Sequence, residues 1–158
     1  MISIIALNIS MASAQSVLES YVIGVRPKTY LNIGGTSGVS IVDTTGLYAG
    51  GVLGFSRVKG NHTLGVSTEW FYDSNLTGLT GTLGPKVGLL MGELDGGAVV
   101  NTGSDSTTWG GYARLGLNFG LASSYYRVLV LSERATTHHI GVTLKFPQQL
   151  GYQPRLEY

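Results

Sequence analysis

The sequence predicts an all-β protein, an antiparallel up-and-down barrel of about eight strands, and three observations carry that prediction. Glycine supplies 24 of 158 residues, about twice its usual share of ~7%, and each glycine would cost about 1 kcal/mol in a helix interior. Charged residues are only 12%, against roughly 25% in ordinary soluble domains. Apolar residues alternate with small or polar ones at period two in run after run. A β-sandwich or jelly roll is the alternative, because it uses the same alternation. The length suits one domain.

The elements follow in chain order. Ser20 to Arg26, Lys28 to Ile33 and Val39 to Asp43 are short strand candidates, separated by Pro27 and by a Gly34-Gly35-Thr36-Ser37-Gly38 turn. From Leu47 to Arg57, the row Leu47, Ala49, Gly51, Leu53 and Phe55 opposes Tyr48, Gly50, Val52, Gly54 and Ser56, and the first row is the greasier. Lys59-Gly60-Asn61 then makes a tight hairpin connection. In the run His62 to Tyr72, Leu64, Val66, Trp70 and Tyr72 oppose Thr63, Gly65, Ser67 and Glu69, with Phe71 breaking the pattern. Leu83, Pro85, Val87, Leu89 and Met91 face away from Gly84, Lys86, Gly88 and Gly92, with Leu90 the exception. The stretch holding Asp95, Gly97, Asn101, Ser104 and Asp105 reads as a long solvated loop, lacking the spacing of a calcium-binding loop. Trp109 to Phe119 alternates throughout, Tyr125 to Leu131 is apolar on both sides, and His139 to Phe146 alternates cleanly.

The charges within strands choose one face. Glu69, Lys86, Arg114, Arg127 and Lys145 all share the glycine, serine and threonine side. In a soluble sandwich that side would face water; in a membrane barrel it would line the interior while the greasy side meets lipid. Repeated glycine costs strand stability and implies close packing above it. The inside-out arrangement therefore fits better. Runs of nine to eleven residues suit a tilted crossing of a bilayer, and Trp70, Tyr72, Trp109, Phe119, Tyr126 and Phe146 stand near strand ends, where aromatic girdles belong. The five interior charges number four cations and one carboxylate. An open lumen would favour anions, whereas a filled one makes them a structural network centred on Glu69. Eight-stranded interiors are filled by side chains.

The Gly-Leu-Tyr-Ala-Gly-Gly-Val-Leu-Gly-Phe run at 46–55 and the final His139-Ile140-Gly141-Val142-Thr143-Leu144-Lys145-Phe146 strand resemble those of small Gram-negative outer-membrane barrels of the eight-stranded type. The resemblance covers residues 46 to 146 and implies an outer-membrane location, lipid and lipopolysaccharide as partners, and a terminal strand that serves as an assembly signal. That family usually ends at the phenylalanine; this chain continues from Pro147 through Tyr158.

Residues 1–14 are a candidate signal segment: an apolar run from Ile2 to Ile9, then Ala12-Ser13-Ala14 before Gln15, without a basic leader. Its other reading is a buried strand. Residues 15–146 form the expected barrel and 147–158 a C-terminal extension. Ten basic residues nearly balance nine acidic ones, which leaves no basic footprint for nucleic acid. With no cysteine, thiolate metal sites and cysteine nucleophiles are excluded, and no cofactor is expected. His138 and His139 point to opposite faces of a strand and cannot share one metal. Ser132, Glu133 and His138 are the only hint of a barrel-embedded lipid hydrolase, and no motif accompanies them. The expected function is that of a structural, surface-contact or minor pore protein of the outer membrane. The alternative is a non-enzymatic subunit of a virion or another assembly, its partners copies of itself or other subunits.

Overall fold

The computed structural model describes residues 27–151 apart from 104, 105 and 133. The candidate signal segment, the strand expected at Ser20 to Arg26 and most of the C-terminal extension lie outside the described residues. Eight antiparallel strands follow in sequence: β1 (Lys28–Ile41), β2 (Thr45–Lys59), β3 (His62–Asp73), β4 (Gly78–Leu89), β5 (Gly92–Gly103), β6 (Thr107–Phe119), β7 (Ala122–Leu131) and β8 (Thr137–Leu150). Each pairs with the next and β8 closes on β1, so the barrel has no free edge and the sandwich alternative is overturned.

Two elements differ from the sequence reading. The Gly34 to Gly38 stretch is the middle of β1, paired on both sides with β2 and β8. Its glycines make room where neighbours come close. A Cβ on Gly38 would lie 2.2 Å from the Ile140 carbonyl oxygen and 2.6 Å from the Tyr48 hydroxyl. The supposed loop around Asp95 is strand β5. Its alternation is hidden because its inward row reads Glu93, Asp95, Gly97, Val99 and Asn101, and its outward row contains Gly96 and Ala98. In addition, β4 ends at Leu89 and Leu90-Met91 is a turn, while β8 runs past Phe146 through Pro147 to Leu150.

The register sets the shape. From Tyr30, paired residues step through Ser56, Gly65, Lys86, Asp95, Arg114, Arg127 and His139 and return to β1 at Ser40, ten residues further along. Ten residues at ~3.3 Å, set against eight strands at ~4.8 Å, give a tilt of about 40°. The turns Gly60-Asn61, Leu90-Met91 and Gly120-Leu121 lie at one end with the outer ends of β1 and β8. Connections of three to five residues lie at the other, the loop end.

The predicted greasy rows face outward. Twenty-seven large apolar side chains of the described residues are exposed, among them Leu53, Val66, Leu83, Leu115, Val142 and Leu144. Trp109 and Tyr72 stand near the loop end and Phe55, Phe119 and Phe146 near the turns, whereas Tyr126 occupies the middle of β7.

Candidate functional site

The residues with the most chemistry are inside. Strand parity turns every second residue inward, and the stagger brings different strand levels together. Glu69, 2% exposed, lies between two guanidiniums. Arg114 Nη1 donates to its Oε1, and Arg127 Nη1 donates to its Oε2 at 2.7 Å. Arg114 also donates to Thr143 Oγ1 at 3.2 Å and approaches Glu93 and Asp95 at 3.6 and 3.7 Å. Lys145 donates to both oxygens of Glu93 at 3.1 and 3.2 Å, and Lys86 pairs with the same carboxylate.

On the loop side of this group, Arg127 donates from Nη2 and Nε to His139 Nδ1 at 2.8 and 3.2 Å. That leaves His139 Nε2 to donate to Asp73 Oδ2 at 2.7 Å, the tautomer being fixed by the guanidinium on the other nitrogen. Asp73 Oδ1 accepts from Ser40 Oγ and the Asn75 amide, each at 2.8 Å. Aromatic rings fill the gaps. Tyr48 stacks on His139 with centroids 4.4 Å apart, and its hydroxyl donates to Tyr125. Arg127 lies over Phe71 at 4.2 Å and Arg114 over Tyr125 at 3.9 Å. Such stacking is worth most where water is excluded.

All five predicted interior charges face inward, in two groups: Glu69, Arg114 and Arg127 at the centre, Lys86 and Lys145 on Glu93 toward the turns. Arg114 spans the two. The expected excess of cations is corrected. Lys86, Arg114, Arg127 and Lys145 meet Glu69, Asp73, Glu93 and Asp95, so the network carries as many carboxylates as cations. Glu93 and Asp95 were missed because β5 resembles a loop. Asp73 and His139 were legible as inward positions from the parity of Glu69 and Lys145, but their pairing required the stagger. Phe71, which breaks the greasy pattern, is an inward residue 1% exposed.

The centre of the network is closed off from the surface, while Lys86 and Lys145 on the turn side keep side-chain exposures of 12% and 13%. Arg127, His139, Asp73 and Thr143 have 0% exposure, and a lumen open to water would wet them. An apolar cluster of Tyr48, Phe71, Leu76, Val99, Tyr112, Tyr125, Leu129 and Leu131 fills the loop-side half. Above it is a cavity of about 240 Å³ lined by Val42, Asn75, Leu76, Arg134, Ala135 and Thr137. His138 lies on the outer wall, its Nδ1 2.6 Å from the Tyr126 hydroxyl. Ser132 is exposed in the loop before β8, and Glu133 lies outside the described residues. Among the described residues no cluster of three or more metal-ligating side chains occurs.

These features define a closed eight-stranded barrel with an apolar exterior and a neutralised, filled interior. No family model, curated protein or solved structure matches the chain.

Proposed function

We propose that this protein is an outer-membrane β-barrel that acts as a membrane-embedded structural or surface-contact element, with no enzyme site and no conducting pore. The observation that carries the reading is the outer wall. At roughly 60–120 Å² for a full side chain, inferred from burial energies, twenty-seven side chains about half exposed leave on the order of 1,000 Å² of apolar surface. A typical monomer shows a largest apolar patch of only about 300–600 Å². On β6 the band runs eleven residues, from Trp109 to Phe119, whose ten steps make about 25 Å along the axis at this tilt, the height of the apolar band of outer-membrane barrels. The exposed cations Arg57 and Lys59 lie beyond it, at the turn end of β2.

The test is extraction and electrophoresis of the full chain. Release only with detergent, together with faster migration of the unboiled form, supports the reading. Purification as a detergent-free soluble particle overturns it and favours the assembly subunit. In planar bilayers the folded protein is expected to leave conductance at baseline; discrete channel openings would overturn the sealed interior and restore the minor-pore reading.

A further inference from the structure

The three turns at the turn end each open on a residue with positive φ. Gly60, Leu90 and Gly120 are the first residues of their two-residue turns, with φ of +54°, +55° and +74°. Glycine adopts that conformation readily, whereas an L side chain crowds its own backbone. Two turns obey this and the third places a leucine there. No burial compensates the strain: Leu89, Leu90 and Met91 are each more than half exposed. Strained and apolar, this knuckle has stabilisation to gain only from a contact outside the barrel.

Its neighbours indicate which contact. Leu89 is paired with Gly92, which is paired in turn with Leu117 on β6. Val87 and Leu64, opposite one another on β4 and β3, continue the same exposed apolar surface. The knuckle is therefore the lower margin of the outer band, not an isolated patch. The basic residues along this rim, Lys28, Arg57, Lys59 and His62, stand on β1, β2 and β3, on the side of the Gly60-Asn61 turn. Register separates the two turns along the axis. The Leu90 amide donates to the Asn61 carbonyl at 2.8 Å, so they share one hydrogen-bonded row. That row climbs toward the loop end by ten residues per circuit, or about 3 Å per strand. The centre of the Leu90-Met91 turn, two strands on, thus stands about 6 Å nearer the barrel middle than Gly60-Asn61.

We infer that the Leu89-Leu90-Met91 knuckle is immersed in the lipid of the turn-side leaflet, at the boundary of acyl chains and headgroups, while the Gly60-Asn61 turn stands in water beside Arg57 and Lys59. The inference rests on the membrane reading above and adds a lipid-contacting element that the strands alone do not supply.

The chain has no cysteine, so single replacements label cleanly. Met91→Cys, Asn61→Cys and Leu115→Cys, each in the full chain, carry a nitroxide and are refolded into phospholipid vesicles. Collisions with dissolved oxygen are compared with collisions with a water-soluble nickel chelate. Oxygen is expected to dominate at 91 and 115 and the chelate at 61. Dominance of the chelate at 91 with oxygen still dominant at 115, or the same reading at 91 and 61, overturns the inference and leaves the membrane reading standing. Shielding of 91 from both probes also overturns it, because protein then covers the knuckle. Dominance of the chelate at 115 removes the membrane reading and the knuckle proposal with it.

Discussion

Replacing Glu69 by glutamine keeps the volume and removes the one carboxylate shared by the two central guanidiniums. The consequences for its partners are unequal. Arg114 retains Thr143 at 3.2 Å and the carboxylates of Glu93 and Asp95 at 3.6 and 3.7 Å. Arg127 retains no carboxylate, only uncharged acceptors, His139 in this tautomer and the glutamine's one oxygen, together with the surrounding rings. Leaving a buried charge without its partner costs about 3–5 kcal/mol, and here most of that falls on Arg127. Glu69→Gln is therefore expected to lose about 3 kcal/mol or more, and Arg127→Met in the same chain should recover part of the loss, with a coupling of about 2 kcal/mol. Arg114→Met should couple more weakly. The assay is urea unfolding in vesicles, followed by the emission of Trp70 and Trp109, both on the outer wall. A loss below about 1 kcal/mol for Glu69→Gln is the behaviour of a solvated pair; it would refute the burial of the central ion pairs.

Leu115→Lys places an ammonium near the centre of the outer band and should cost about 2–4 kcal/mol of folding stability in a bilayer, whereas Arg57→Leu should cost little; equal, small effects in the same urea titration would count against lipid contact. Gly141→Ala puts a methyl 1.8 Å from the Tyr48 hydroxyl and 2.6 Å from the Ser37 carbonyl oxygen, so a loss of about 1–3 kcal/mol is expected, and a Tyr48→Phe background should recover part of it. Asp73→Ala strands three donors, on Ser40, Asn75 and His139, and should cost about 3 kcal/mol, with faster amide exchange around the β3–β4 loop; Asp73→Asn, which keeps one oxygen, should cost roughly half as much.

The sequence exposed whatever depends on period two. β2, β3, β6 and β8 show it plainly because their outward rows are leucine, valine, isoleucine and aromatics against glycine and small polar residues. The inward parity of Glu69, Lys86, Arg114, Arg127 and Lys145 follows from the same alternation. β5 resisted because its outward row is partly glycine and alanine, and its inward row carries acids and asparagine that equally suit a loop. β1 resisted because Gly34-Gly35-Thr36-Ser37-Gly38 has the composition of a turn, and the close approach of Tyr48 at Gly38 appears only in three dimensions. Partnership was the least legible property. Glu69 and Arg127 are 58 residues apart, and only the ten-residue stagger brings them level. That stagger is a property of closure, which no single strand encodes.

The stagger also explains why a barrel so poor in charge keeps several charges buried. Lys86, Asp95, Arg114, Arg127, His139 and Ser40 fall on one continuous row of paired residues, and the row climbs as it circles. Charges on adjacent strands are thereby spread along the axis as well as around it. Arg114 and Arg127 are direct neighbours on that row, yet both reach inward to Glu69 on the far side of the barrel. These two ion pairs consequently tie walls that share no ladder, and slipping one strand by two residues would keep every parity while moving a charge away from its partner. A purely apolar filling would tolerate such a slip more readily, because dispersion is undirected. The buried ions thus select the register as well as filling the lumen. On the membrane reading proposed above, lipid covers the wall and the charges of the interior face one another, so recognition by this protein would fall to its two rims.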